Sequence, residues 1–235
     1  MFSWGDIMKK LLLASALTAL TFSAAHAADA VAYEPAPVAA TAYDWSGFYF
    51  GAHAGYGWGD YTPFSPADGN TGPNIDVDGF VGGLTAGYNW QFDSVVLGVE
   101  ADISNGPDGK RARGTNGPDW SCNTGDCNVD IEWFGTVRGR LGYAVDRFLV
   151  YGTGGFAFGH VEGGIRNSDQ QGGGSATGWA AGAGVEFAWN QHWTTKAEYL
   201  HVDLGDIPFG ADDDGGSFKG DGSFDVFRLG INYKF

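Results

Sequence analysis

The chain has 235 residues, 40 of them glycine, with 15% aromatic and only 17% charged side chains and a formal charge of −15. An acidic balance with scattered Lys and Arg excludes nucleic acid as a partner, because phosphate binding needs clustered cations. Beyond the N-terminal segment no apolar run approaches the roughly 20 residues of a membrane-crossing helix, which excludes a helical membrane protein but not a β-barrel.

Residues 1–27 read as a signal peptide. Met8, Lys9 and Lys10 supply a basic start, residues 11–22 an apolar run, and Ala25-His26-Ala27 the small-x-small cleavage pattern. The run is too short for a retained anchor. Met8 reads as the more natural start, leaving residues 1–7 as an extension. Cleavage removes two lysines and Asp6, which takes the formal charge from −15 to −16. Residues 28–43, with two prolines, many alanines and no periodicity, read as a flexible periplasmic lead-in. The body of the protein is expected over residues 44–235.

From Trp45 onward the side chains alternate with a period of two. In the first stretch Phe48, Phe50, Ala52, Ala54, Tyr56 and Trp58 oppose Tyr49, Gly51, His53, Gly55 and Gly57. The second sets Phe80, Leu84, Ala86, Tyr88 and Trp90 against Val81, Gly83, Thr85, Gly87 and Asn89. A tight turn at Asp93-Ser94 leads to a third, with Val95, Leu97, Val99, Ala101 and Ile103 opposite Gly98, Glu100, Asp102 and Ser104. The fourth places Val129, Ile131, Trp133, Val137, Leu141 and Tyr143 opposite Asp130, Glu132, Thr136, Arg138 and Arg140.

The fifth, over residues 148–158, has no fixed register, because Leu149 and Tyr151 compete with Phe148, Val150, Phe156 and Phe158. The sixth opposes Trp179, Ala181, Ala183, Val185, Phe187 and Trp189 to Gly182, Gly184 and Glu186. The seventh carries Lys196 and Glu198 on one face, with Trp193, Ala197 and Tyr199 on the other. The eighth runs to the end, with Phe227, Leu229, Ile231, Tyr233 and Phe235 against Arg228, Gly230, Asn232 and Lys234. Taken alone, this last stretch suits a sandwich edge as well as a membrane barrel.

The connections separate the two. Short turns alternate with long segments over residues 59–77, 105–128, 160–175 and 204–223, as in barrels with short periplasmic turns and long extracellular loops. The expected fold is therefore all-β, an eight-stranded antiparallel transmembrane barrel. Its bulky aromatic and aliphatic face points to lipid, with Trp58, Trp90, Trp189 and Tyr233 as interfacial aromatics. Glycines and a few charges of both signs line the interior, where Glu100, Arg138, Arg140, Glu186, Lys196, Glu198 and Arg228 are expected to form an ionic plug. The plug reads first as structural; a gated, low-conductance path through rearranging pairs is the alternative.

Cys122 and Cys127, in an exported Gly/Asn/Asp-rich loop, are expected to form a disulfide; a lone C-x4-C is poor evidence for a metal. His53 is expected inside the barrel, and His160, His192 and His201 at rims or interfaces. No G-x-S-x-G, H-E-x-x-H or phosphate loop occurs, so no enzyme and no cofactor are expected. The Asp212-Asp213-Asp214 run departs from calcium-loop spacing and reads as a solvated acidic loop.

DWSGFYFGAHAGYGWG, FVGGLTAGYNWQF, GTVRGRLGYAVDRF and FRLGINYKF resemble the RopB-type small outer-membrane proteins of alphaproteobacteria, in the OmpA-like barrel superfamily often called the porin family. The resemblance spans nearly all of residues 45–235. It implies location in the outer membrane, contact with its lipid and lipopolysaccharide, and a role in envelope integrity and surface interactions through the loops. It also implies that Tyr233 and Phe235 form the terminal signal read by the barrel assembly machinery. Some relatives bind haem, but no residue here carries that over; a small-ligand or low-conductance barrel is the alternative function.

Overall fold

A strand with bulky apolar residues on one face and charges on the other can hide the charges only by curling that face inward and closing. The computed structural model, which describes residues 43–64, 69–107, 118–119, 127–165, 171–211 and 217–235, shows that closure. The strands are β1 (Gly47–Phe64), β2 (Ile75–Phe92), β3 (Val95–Asn105), β4 (Cys127–Val145), β5 (Phe148–Ile165), β6 (Gln171–Ala188), β7 (Trp193–Ala211) and β8 (Ser217–Lys234). Each pairs antiparallel with the next, and β1 pairs with β8, from Tyr49 opposite Lys234 to Phe64 opposite Lys219. No sheet edge is left open.

One end of the barrel carries tight connections. Asp93 and Asp146 open two of them with φ of 53°, a left-handed backbone that Asp tolerates. In the third, the Asn190 side-chain oxygen accepts from the backbone N–H groups of His192 and Trp193, both at 2.9 Å.

At the other end the strands run further than the sequence pattern predicts. All but β3 have 18 or 19 residues, whereas about 9–11 suffice to cross a bilayer. Most of the segments read as loops at 160–175 and 204–223 is paired strand. Backbone hydrogen bonding needs no side-chain alternation, and past the apolar band these strands are rich in Gly and Asp, which hides them from a period-two reading.

The outer face is apolar in the middle. On β3 the outward positions from Val95 to Ile103 span nine residues, the length of one crossing. Phe48 is 66% exposed and Leu141 60%, while Glu100 and Arg228 are buried at 2% and 0%. This is the inverse of a water-soluble barrel. The fifth strand is settled: Phe148, Val150 and Phe156 face out, Leu149, Tyr151 and Ala157 in.

Other expectations fail as well. Val129 and Ile131 are buried in the interior rather than on the outer face. A bulge between Ile131 and Trp133 inserts Glu132 as an extra outward residue, so the alternation changes phase there. Tyr43, read as the last residue of the lead-in, is buried with Trp45 at the turn end, their rings 4.7 Å apart. The signal peptide and the rest of the lead-in fall outside the described residues.

The interior is layered. At the turn end Tyr43, Trp45, Val96, Ala144, Leu149, Tyr151 and Ala188 form a small apolar core. Toward the loop end a larger one includes Tyr61, Val81, Val129, Ile131, Phe134, Val161, Leu200, Val202, Phe224 and Val226. Within it Phe134 and Phe224 meet edge to face at 5.1 Å. The inner face there is apolar, where the sequence pattern suggested Gly and isolated charges.

Candidate functional site

Between the two apolar cores lies the ionic layer. All seven predicted members converge in it: Glu100 from β3, Arg138 and Arg140 from β4, Glu186 from β6, Lys196 and Glu198 from β7, and Arg228 from β8. Each sits on the inward alternate of its strand, so regular pleating alone delivers them to one level.

Arg138 reaches Glu100 at 2.6 Å, Asp102 at 2.9 Å and Glu198 at 3.0 Å. Arg228 pairs with Glu198 at 2.6 Å and with Asp102 at 3.1 Å. Lys196 donates to both oxygens of Glu100, at 2.9 and 2.8 Å. Arg140 pairs with Glu186 at 2.8 Å, and its guanidinium lies 3.9 Å from the centre of the Tyr151 ring.

Asp102, inward on β3, joins the layer as an eighth member beyond the seven expected from sequence. With it, four buried carboxylates (Glu100, Asp102, Glu186, Glu198) face four buried cations (Arg138, Arg140, Lys196, Arg228), and the layer is neutral. The available signal was the charge sum: three acids against four bases in a low-dielectric interior calls for a fourth acid.

Neutral side chains satisfy much of what the charges leave, although the buried Arg140 Nε has no hydrogen-bond partner. Thr136 donates to Asp102 at 2.6 Å, Asn232 to Glu186 at 2.8 Å, Tyr49 to Glu100 at 2.8 Å and Tyr151 to Glu198 at 3.2 Å. Both tyrosines lie across a glycine in register on the neighbouring strand, Tyr49 opposite Gly87 and Tyr151 opposite Gly184. A Cβ at Gly184 would stand 2.6 Å from the Tyr151 hydroxyl oxygen. The missing side chain lets the ring lie flat and aim its hydroxyl at the layer.

His53 points inward as predicted, its Nε2 2.8 Å from Ser104 Oγ and 3.3 Å from Arg228. His192 stacks on Tyr233 at 5.4 Å, and His201 pairs with Asp225 at 2.8 Å on the outside. Tyr233 also meets Trp193 and Phe235 at 5.1 and 5.2 Å, and the Phe235 N–H donates to the Phe48 carbonyl at 3.0 Å. These two aromatics therefore sit at the turn end of the β1–β8 seam. Beside the seam, the Ser46 backbone N–H holds the Asp44 carboxyl below the usual carboxylate range. Of the predicted disulfide, Cys127 opens β4, while Cys122 and the Asp212-Asp213-Asp214 run lie outside the described residues.

A lipid-facing apolar wall, aromatic rings at both ends of it and a closed interior define a bacterial outer-membrane barrel. A family model described as the outer membrane protein beta-barrel domain matches residues 14–235, and the chain belongs to that family. It is 41% identical over 246 residues to the 31 kDa outer-membrane immunogenic protein of Brucella melitensis biotype 1, covering 97% of this chain and 100% of the relative. It is 36% identical over 193 residues to the 22 kDa outer membrane protein of Rhizobium leguminosarum bv. viciae, covering 81% of this chain and 78% of the other. These relatives place the protein in the outer membrane. Among solved structures it is similar to Neisserial surface protein A, with a TM-score of 0.48 at 15% identity over 81% of this chain and 98% of that one.

Proposed function

We propose that the protein is a sealed structural barrel that supports the integrity of the outer membrane and presents its loop end to the surroundings, without conducting solutes or catalysing a reaction. The observation that carries this reading is the layered interior. A neutral, interlinked ionic layer lies between two apolar cores, and an ion following the axis would have to cross both cores without water. A cavity in the loop-end core, lined by Tyr61, Val77, Val129, Ile131, Val161, Leu204 and Phe224 among others, offers about 10 Å³ of water-accessible space. That is room for a single water and far too little for a ligand the size of haem, so neither alternative function gains support from it.

Lipid and lipopolysaccharide are the natural neighbours of the outer wall, and the loops are the natural site for external partners. The word "immunogenic" in the names of the Brucella relatives fits the same display. Tyr233 and Phe235, at the seam, are proposed as the contact for the assembly machinery. Planar-bilayer recording of the purified, refolded protein tests the central point. No discrete conductance steps are expected, and reproducible single-channel events abolished by an Arg228→Met change would overturn the reading.

A further inference from the structure

The β4 bulge has a second effect on the outer wall. By inserting one residue it turns Glu132 outward beside Trp133, where it meets His160 and Glu162 of β5. The ligand atoms of Glu132, His160 and Glu162 all lie within 4.8 Å of one another. Glu132 and Glu162 thus place two carboxylates beside one imidazole.

Two carboxylates held this close on adjacent strands repel unless something positive lies between them. Two other outward acids toward the loop end have partners: Asp203 accepts from the Trp179 indole at 3.1 Å, and Asp225 accepts from Tyr199 at 2.7 Å. Among the described residues, no hydrogen bond or ion pair occupies Glu132, His160 or Glu162.

On the far side of β5, Glu162 is in register with Gly173 of β6. A Cβ there would press on Glu162 Cγ at 3.0 Å and approach His160 Nε2 to 3.5 Å. Glycine keeps that side of the imidazole open. Just toward the membrane, Trp133 and Phe158 meet at 6.1 Å as part of the loop-end aromatic ring, so the cluster lies at headgroup level on the outer surface.

The geometry points to a divalent-metal site of the zinc class formed by Glu132, His160 and Glu162 on the outer wall. One nitrogen and two carboxylate ligands from two rigid strands leave room for water to complete a four-coordinate ion. The imidazole disfavours magnesium and calcium, which take oxygen ligands. Bound metal neutralises the clustered carboxylates and ties β4 to β5 above the lipid.

Isothermal titration of the tag-free, detergent-refolded full chain with zinc chloride, and separately with magnesium chloride, tests the site. One zinc per barrel is expected, bound in preference to magnesium. His160→Ala and Glu162→Gln should each weaken it by at least about tenfold, as loss of a ligand exceeds the cost of disturbing an outer-shell partner. Both side chains face outward, so both variants should keep the heat-dependent gel shift of a folded barrel, which separates loss of metal from loss of fold. Equal zinc affinity in the wild-type protein and a folded His160→Ala variant, or magnesium binding as tightly as zinc, would overturn the assignment.

Discussion

Asp102 shows how much one side chain can settle inside a closed barrel. It accepts from Thr136, Arg138 and Arg228 at 2.6 to 3.2 Å, and its carboxylate is fully buried. Replacing it by Ala leaves two guanidiniums short of a partner and the layer one charge positive. Breaking a buried pair in this way costs about 3–5 kcal/mol. Asp225, half-exposed on the outer wall and bonded to Tyr199 and His201, makes the comparison, since an exposed pair is worth at most about 1 kcal/mol. Urea unfolding of the refolded protein, followed by tryptophan emission, should rank Asp102→Ala well below Asp225→Ala in stability. Equal midpoints would show that the layer is better solvated than its burial implies.

At the level of the strand, β4 makes an unusual prediction. Deleting Glu132 removes the extra residue of the bulge, and its neighbours keep their faces: Ile131 remains inside and Trp133 outside. That variant should fold and show a normal heat-dependent gel shift. Deleting Val137, five residues on in the same strand, shifts one side of β4 by a single position and exchanges its faces. Arg138 and Arg140, or the residues pairing above them, then face lipid, and the variant should fail to fold.

The same strand shows what the sequence could reveal. Residues 133–143 alternate cleanly, so their faces and the inward placement of both arginines are legible. One inserted residue has no compositional mark, so Val129 and Ile131 were assigned to the wrong face. In β5 the difficulty was different. Leu149 and Tyr151 are apolar because they pack the turn-end core, beside outward Phe148 and Val150, and alternation disappears where both faces are apolar. Tyr49 was legible as inward but not as a partner of Glu100, because its reach depends on Gly87 in the neighbouring strand. Position on a face was readable; contacts across the lumen were not.

For the molecule as a whole, the seam between β1 and β8 is where the barrel becomes a barrel. Phe235 is 76% exposed at its turn end and adds little to any core, although its backbone N–H extends the seam onto Phe48. Removing Phe235 should therefore leave the stability of the refolded protein within about 0.5 kcal/mol, yet lower its level in outer-membrane fractions of cells if the assembly contact proposed above is correct. Comparing urea midpoints in vitro with membrane abundance in vivo separates the two effects. Unchanged abundance would remove the proposed signal without touching the fold.

The ionic layer also has a temporal side. The hairpin of β3 and β4 brings Glu100 and Asp102 with Arg138 and Arg140; β6 to β8 bring Glu186 and Glu198 with Lys196 and Arg228. The layer charges therefore balance within each group of strands. The ties that span the lumen, Arg138 to Glu198, Arg140 to Glu186, Lys196 to Glu100 and Arg228 to Asp102, can form only once the halves face each other. If they are absent from the transition state for closure, they would act as a latch, slowing reopening of the barrel more than they speed its assembly.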